Sequence, residues 1–188
     1  MTEMMGFPMA IYTLKELSHK GFGVFAARFI VKNEHIFHRD LSSLQSYSLQ
    51  EIDRLAKEDS ELNGDRTDYV GHGQYVFDNS PMAFMNHSCD PSCYVKMRSI
   101  AIKDVYALRD IEKDEELTHD YTATSVDQFA GKGFWVLNCR CGSANCRGHV
   151  TGDFFEMPHE WQMKYYPYLA PSIKRIYRDR LRDLFIRY

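Results

Sequence analysis

Three cysteines near the end of the chain form its densest group of reactive side chains. They follow the pattern Cys139-x-Cys141-x4-Cys146, and Gly142 and Gly148 stand beside them, where tight turns are needed. Zinc in proteins prefers four tetrahedral thiolate or imidazole ligands, and closely spaced cysteines from one turn commonly supply most of them. The spacing therefore predicts a zinc site that lacks one ligand. Such a closed site would be structural, because it leaves no open position for a substrate.

The fourth ligand must come from elsewhere in the chain. Four residues offer a suitable sulfur or imidazole group: Cys89, Cys93, His87 and His149. The total of five cysteines is odd, and the first residues lack the basic start, long apolar centre and small-residue cleavage site of an export signal. Both observations favour an intracellular protein and metal binding over a disulfide framework. Reduced thiols without a metal are the alternative.

A glycine-rich segment, residues 21–26, reads Gly-Phe-Gly-Val-Phe-Ala and matches the dinucleotide fingerprint G-x-G-x-x-A. In that fingerprint the glycines open a helix whose N-terminus holds a pyrophosphate. The residues after this segment are β-branched and aromatic, which favours a strand. The segment is therefore predicted to be a β-turn, and a nicotinamide enzyme is a distant alternative.

Two other segments concentrate polar groups. Residues 86–91, Asn-His-Ser-Cys-Asp-Pro, follow the apolar residues 82–85, which suggests side chains held in or under a site. A satisfied buried turn is the alternative. Residues 116–121 end a predicted strand with Glu, His, Asp and Tyr. A lone tyrosine at a strand end is more often core or interface than catalytic, so spacing alone assigns Tyr121 no role.

The elements that position these groups are mostly strands in the first part of the chain. Apolar residues at strand-like spacing occupy residues 11–38 around a turn at residues 20–23, which predicts a β-hairpin or meander. Ser48 and Glu51 have capping-box spacing and precede a helical repeat of apolar residues. They predict a short helix that ends before Gly64.

The second part of the chain continues this mainly β pattern and ends in helices. Charged turns at residues 103–104 and 113–115 are expected to separate three predicted strands, at residues 99–103, 105–108 and 116–118. Residues 127–132 resemble a linker. From Pro158 onward, apolar residues at helical spacing predict one or two amphipathic helices. Two roles stay open for this tail: packing on the domain and dimerisation.

Composition sets the outer limits. The chain has 188 residues, 44% hydrophobic and 26% charged, which is enough for one domain with appendages. No apolar run approaches the roughly 20 residues of a bilayer span, so a membrane-spanning protein is excluded. A net charge of -3 argues against nucleic-acid binding as the main task, because phosphate contacts need a basic surface. The acidic stretch at residues 58–68 is typical of a solvated loop, although it could also attract a basic substrate.

Four segments, taken in this order, resemble the SET-domain protein lysine methyltransferases. They are residues 20–26, residues 84–91, residues 114–121 and the cysteine pattern that starts at Cys139, which is similar to the family's post-SET segment. The resemblance covers residues 10 to 150. It implies a SET-domain pseudoknot of small curved β-sheets at residues 10–122, a linker and zinc-bound post-SET segment at 123–152, and leaves a C-terminal helical tail at 153–188.

The resemblance also implies roles for individual residues. S-adenosylmethionine would lie against the glycine turn and the second motif, which makes the expected cofactor-binding residues Lys20, Gly21, Phe22, Gly23, Asn86, His87 and Tyr121. Tyr121 corresponds to the catalytic tyrosine, and His119 and Tyr75 are expected in the substrate channel. The family's N-H-S-C cysteine completes the zinc site, so the expected ligands are Cys89, Cys139, Cys141 and Cys146, with Cys93 a bystander.

By this resemblance the protein is a methyltransferase that acts on a lysine in a protein with a basic, histone-like tail. We expect it in the cytoplasm of a prokaryote or the nucleus of a eukaryote. His119 departs from the family, which commonly has Phe or Tyr there, at a position that influences how many methyl groups fit. The alternative is a catalytically silent SET-like module that binds protein or cofactor, because a fold alone never guarantees chemistry.

Overall fold

The computed structural model describes residues 10–18, 21–125 and 136–186, and within these ranges short β-strands joined by turns predominate. The strands are β1 (Tyr12–Leu17), β2 (Gly21–Ala26), β3 (His35–Asp40), β4 (Tyr47–Ser48), β5 (Thr67–Gly71), β6 (Gln74–Phe77), β7 (Cys93–Met97), β8 (Ile102–Ala107), β9 (Val136–Asn138) and β10 (His149–Thr151). The α-helices are α1 (Leu49–Glu58), α2 (His159–Tyr165), α3 (Pro171–Ile176) and α4 (Arg178–Arg182). Single turns of 3-10 helix lie at Pro81–Phe84, Tyr121–Thr124, Phe154–Glu156, Tyr166–Tyr168 and Asp183–Phe185.

The strands form four small antiparallel sheets. β1 and β2 make the predicted hairpin, and β9 and β10 pair near the cysteines. The β-turn predicted at residues 21–26 is wrong, because these residues are strand β2 and pair with β1 along their whole length. The other two sheets have three strands each, in the orders β3-β8-β7 and β4-β6-β5. This arrangement confirms the mainly β fold with short helices. None of the helices in the described ranges combines the length and apolar character that a membrane span requires.

The main hydrophobic core joins the hairpin to the β3-β8-β7 sheet. Side chains two residues apart on a strand share a face, so Cys93 and Val95 of β7 pack beside Ala107 and Val105 of β8. Val24 and Ala26 of β2 belong to the same core and are fully buried, as are Ile30, Ile111 and Leu117. The core thus fixes strand β2, which begins with Gly21, relative to the segments that follow β8.

Helix α1 begins where the capping box predicts. The Ser48 hydroxyl accepts a hydrogen bond from the Glu51 N–H, and the Glu51 carboxylate accepts one from the Ser48 N–H at 2.7 Å. These bonds satisfy two backbone N–H groups that the first turn of a helix would leave without partners. The helix ends at Glu58, ahead of Gly64, as predicted.

The predicted turn at residues 103–104 is wrong, because β8 runs through both charged residues. Lys103 and Asp104 are almost fully buried, and each has partners on its own side of the strand. The Lys103 Nζ donates to Asp68 Oδ2 at 3.1 Å, and Asp104 is hydrogen-bonded to His38 Nδ1 at 2.7 Å and to Arg98. Paired in this way, charged residues can occupy a buried strand. The predicted strand at residues 116–118 shortens to one bridge with β2.

The C-terminal tail packs on the domain and forms a second hydrophobic core. Phe154, Ile173 and Leu181 of the tail are buried together with Met97 of β7 and Ala123, two residues after Tyr121. The ring of Tyr168 also stacks on that of Tyr94, with centroids 4.2 Å apart. The tail has three short α-helices where one or two were predicted. Pro158 is the N-cap of α2, and Pro171 is the first residue of α3. The predicted linker at residues 127–132 lies outside the described residues.

Candidate active site and metal site

The fold brings the second and third motifs side by side. The His119 N–H donates to the Asn86 carbonyl at 3.2 Å, and the Ser88 N–H donates to the His119 carbonyl at 3.1 Å, which makes a parallel bridge between His87 and His119. Tyr121 lies two residues further along. Segments that are more than 30 residues apart in sequence therefore share one site.

Asn86 also connects these two motifs to the glycine-containing start of β2. Its Nδ2 donates to the Phe22 carbonyl at 3.1 Å and to Glu116 Oε1 at 2.6 Å. Gly23 leaves room for this contact, since a Cβ there would lie 3.0 Å from Glu116 Oε1. Gly21 has a φ of 71°, which glycine adopts at little cost.

The structure thus places Phe22 beside Asn86 and Gly23 beside Glu116, and cofactor binding by residues 21–23 stays a prediction. The role of Glu116 could have been inferred only from the contact itself. Lys20, another predicted cofactor residue, lies outside the described residues.

His87 connects Tyr121 to a cysteine. Its Nδ1 accepts a hydrogen bond from the Tyr121 N–H at 3.2 Å, which requires this nitrogen to be unprotonated. The proton therefore lies on Nε2, which is 3.3 Å from Cys89 Sγ and donates to it. Burial lowers the pKa of His87, which favours the neutral ring.

The hydroxyl of Tyr121 donates to the Met85 carbonyl at 2.9 Å. Burial raises the pKa of Tyr121, and the Glu116 carboxylate raises it further. The phenol therefore keeps its proton at neutral pH and acts as a hydrogen-bond donor.

Two cavities meet at Tyr121. The first, which we name the Asn86 cavity, has a volume of about 260 Å³ and is lined by Asn86, His87, Tyr121 and residues 137–141. The second, the His119 cavity, has a volume of about 270 Å³, and its lining includes His119, Tyr121, Met82 and Met85. Tyr121 contributes to both linings, so the two spaces share this residue.

His119 lines its cavity as a neutral, buried side chain. Burial, assisted by the positive charge of Lys103, lowers the pKa of His119 to about 3. Its Nδ1 has no hydrogen-bond partner among the described residues. Tyr75, the other predicted channel residue, lies elsewhere: its ring packs on Tyr69, 5.3 Å between centroids, and it is absent from the described lining of the His119 cavity.

The wall of the His119 cavity contains a cluster of buried charges that the sequence analysis did not assign to the site. Arg39 donates to Asp68 and, at 2.8 Å, to Asp78, while Lys103 donates to Asp68. Burial disfavours the charged form of Asp68, but the neighbouring Lys103 and Arg39 outweigh this effect and lower the pKa of Asp68 to about 2. Asp68 is therefore an interior ion-pair partner, although it ends the stretch interpreted as a solvated loop.

Four cysteines form the expected cluster. The sulfur atoms of Cys89, Cys139, Cys141 and Cys146 all lie within 4.8 Å of one another, and Cys89 Sγ and Cys139 Sγ are 3.8 Å apart. A tetrahedral zinc ion with Zn–S bonds of about 2.3 Å places its sulfurs about 3.8 Å apart. Number, type and spacing of these donors fit a closed zinc site.

The remaining candidate ligands lie in other surroundings. Cys93 is fully buried in the main core, where burial raises the pKa of its thiol to about 12. His149 is an exposed residue of β10, and His87 contacts the cluster only through its bond to Cys89. Cys89 is thus the fourth member of the cluster.

Comparison with known proteins shows what this chain is similar to. The sequence model of the SET domain matches residues 21–122, just over half of the chain. A histone-lysine N-methyltransferase of Debaryomyces hansenii, H3 lysine-4 specific, is 40% identical over 71 residues, 36% of this chain and 6% of that protein. A histone-lysine N-methyltransferase of Saccharomyces cerevisiae, H3 lysine-36 specific, is 29% identical over 158 residues, 77% of this chain. This chain spans 19% of the length of the yeast protein.

A solved structure has the same fold. The methyltransferase domain of human histone-lysine N-methyltransferase SETMAR aligns with a TM-score of 0.50 at 19% identity, covering 76% of this chain and 58% of the other. Its strands and those described above therefore follow one architecture.

Proposed function

Because this chain belongs to the SET-domain family, we propose that it is a protein-lysine N-methyltransferase that uses S-adenosylmethionine. The observation that carries the proposal is the position of Tyr121 between two cavities. One cavity serves the cofactor and the other the lysine, so the two reactants meet at the tyrosine. The names of the histone methyltransferases that it resembles support the same reaction.

We assign the cofactor to the Asn86 cavity. Glycine at position 23 lets β2 approach Glu116, the partner of Asn86, closely, and residues 137–141 form part of the cavity wall. Bound there, S-adenosylmethionine supplies an electrophilic methyl group on a positively charged sulfur. Asn86, whose amide hydrogens are already held by Phe22 and Glu116, keeps its orientation without help from the ligand.

The substrate lysine occupies the His119 cavity in this proposal. An ordinary lysine amine, with a pKa of about 10.4, must lose its proton before it can attack a methyl group. Met82, Met85 and the rings of His119 and Tyr121 form an apolar part of this wall, which disfavours the charged amine. The buried carboxylates in the same wall are already paired with Arg39 and Lys103. Tyr121 holds the entering amine in line with the Asn86 cavity, and most of the rate enhancement comes from this alignment.

Zinc has a structural part in this scheme. Cys89 belongs to the second motif, whereas the other three ligands belong to the post-SET segment, so one ion would hold the two together. Cys139 and Cys141 also line the Asn86 cavity. Metal binding therefore completes a wall of the proposed cofactor site while the cysteines take no part in the reaction.

The experiment that tests the function is transfer of labelled methyl from S-adenosylmethionine to a panel of histones and to a cell lysate. Labelled lysine in a protein is the expected result. The competing proposal, a silent binding module, predicts cofactor binding by calorimetry without any transfer. Absence of cofactor binding by the zinc-loaded chain would contradict the proposed methyltransferase.

Glycine 23 gives a first prediction. Gly23→Ala is expected to weaken S-adenosylmethionine binding, because its Cβ would press on Glu116, Leu17 and Phe25, each 3.0 Å away, and displace the partner of Asn86. Crowding of this kind costs about 1–3 kcal/mol, or roughly 5- to 150-fold in affinity. Calorimetric titration measures it. Gly64→Ala, in a turn with space for the methyl group, is the matched control. Equal affinity in the two variants would contradict the placement.

His119 gives a second prediction, on the number of methyl groups transferred. In its neutral form the ring carries a polar nitrogen, Nδ1, that has no hydrogen-bond partner among the described residues and can bind the amine or a water molecule. His119→Phe removes this group, so a methylated, less polar amine is better accommodated. We expect product with more methyl groups per lysine by mass spectrometry. His149→Phe, at an exposed site, should leave the product distribution unchanged.

The substrate is expected to be basic, with histone-like tails as the leading class and the nucleus as the location in a eukaryote. Glu61 and Asp65 are exposed, and Asp65 lines the His119 cavity. Reversing both charges to lysine should raise KM for a basic peptide several-fold at low salt, with kcat little changed. Reversal of Asp179 and Asp183 in the tail is the control. An unchanged KM at low salt would contradict the prediction.

A further inference from the structure

Asp120 is a buried carboxylate that lies in sequence between His119 and Tyr121, both of which line the His119 cavity. Its side chain is inaccessible to solvent, so its charge must be balanced inside the protein. Oδ1 accepts from Arg147 Nη2 at 2.8 Å and from the Thr122 N–H at 3.2 Å. Oδ2 accepts from Trp161 Nε1 at 3.1 Å. Both side-chain donors come from beyond the SET-domain match.

Arg147 follows the last cysteine directly and has contacts in three directions. Besides its bond to Asp120, its backbone N–H donates to Cys89 Sγ at 3.4 Å. Its Nη1 lies 3.6 Å from Met157 Sδ, just before α2. One residue therefore contacts the cysteine cluster, the Tyr121 segment and the tail.

Trp161 is fixed from the other side by the tail core. Its ring packs on Phe154 and Tyr165, with centroid separations of 5.4 and 4.5 Å. The Thr122 hydroxyl donates to the Thr151 carbonyl at 2.7 Å, which adds another bond between the tyrosine segment and the residues that precede the tail. Tyr121 thus stands at the start of a turn whose neighbours on both sides are tied to the C-terminal part of the chain.

We infer that Arg147 and Trp161 are positioning residues for Tyr121, and that the tail belongs to the catalytic unit. By holding both oxygens of Asp120, they fix the backbone from which the Tyr121 ring projects between the two cavities. The inference rests on the proposed function for its kinetic consequences. Its structural core, the dependence of Tyr121 on the tail, can be measured without turnover.

The decisive variant is Trp161→Phe, which keeps an aromatic ring in the tail core and removes the N–H donor. We expect kcat to fall about tenfold with cofactor affinity nearly unchanged. Loss of a hydrogen bond to a buried carboxylate should also lower Tm by a few degrees. Arg147→Met should lower kcat further, and Arg147→Lys should restore part of it. Tyr168→Phe is the matched control, because it alters another aromatic residue of the tail, whose ring stacks on Tyr94.

A double-mutant cycle separates positioning from general destabilisation. In an Asp120→Asn background, Trp161→Phe should have little further effect on kcat, because the acceptor is already weakened. An undiminished loss there, or an equal loss in Tyr168→Phe, would overturn the inference.

A second readout is independent of methyl transfer. With fluorotyrosine in the chain, the Tyr121 resonance is identified by its absence in Tyr121→Phe. We expect it to shift in Trp161→Phe and to stay in place in Tyr168→Phe. If the native chain transfers no methyl group, this measurement still decides the inference: a shift supports it, and an unmoved resonance overturns it.

Discussion

Tyr121→Phe is expected to lower methyl transfer by at least about a hundredfold while S-adenosylmethionine still binds. The phenol is half-buried, protonated and bonded to the Met85 carbonyl, and Tyr121 lines both cavities. Phenylalanine keeps the ring and removes the hydroxyl that orients the amine, so alignment is lost with little change in shape. Incorporation of labelled methyl measures the rate, and calorimetry measures binding.

The control for this variant is Tyr106→Phe. Tyr106 stacks on Tyr94 in the β3-β8-β7 sheet, and it is absent from the described linings of both cavities. Its loss should leave the rate within about twofold, the range of most surface changes. If Tyr121→Phe kept the native rate, the position between the cavities would have no catalytic meaning.

Cys141→Ser is expected to release zinc and to lower activity strongly, although the cysteine has no part in the reaction. Three remaining thiolates bind zinc far more weakly than four, and the segment they hold includes residues 137–141 of the Asn86 cavity. Elemental analysis should fall from one zinc per chain to well below one. Affinity for S-adenosylmethionine should fall with it, because a wall of the cavity is lost.

Cys93→Ala supplies the comparison. Cys93 is a buried residue of the main core and is not a member of the cluster, so Cys93→Ala should lower the stability of the fold without releasing zinc. Equal zinc loss in both variants would indicate that unfolding, and not ligand removal, releases the metal. Clearly less than one zinc in the gently purified native chain would contradict the metal site itself.

Local signals predicted the elements whose bonds are local. The hairpin and the capping box at Ser48 depend on residues a few positions apart, and both formed as expected. The continuous β8 was not predictable, because Lys103 and Asp104 find partners up to 66 residues away. Two adjacent charged residues in a sequence predict a solvent-exposed turn. Only the folded structure shows the partners of opposite charge that allow them to be buried.

The residues of the site also divide into those that sequence motifs predict and those that only the fold brings together. Asn86, His87, Tyr121 and the four cysteines stand in recognisable motifs, and the structure brings them together. Arg147 and Trp161 have no motif of their own, and their contacts with Asp120 depend on how the tail folds back. Tyr75 illustrates the converse: its sheet contributes Thr67 and Asp68 to the wall of the His119 cavity, but Tyr75 itself is absent from the described lining.

The buried charges beside the His119 cavity constrain how this sequence can diverge. Arg39, Asp78 and Lys103 are buried, Asp68 is half-buried, and the four side chains balance one another's charges. A neutral replacement of one leaves the others with an uncompensated charge, which is among the most destabilising changes a protein interior can undergo. Relatives are therefore expected to keep the set or to lose opposite charges together, so these positions should covary across evolution.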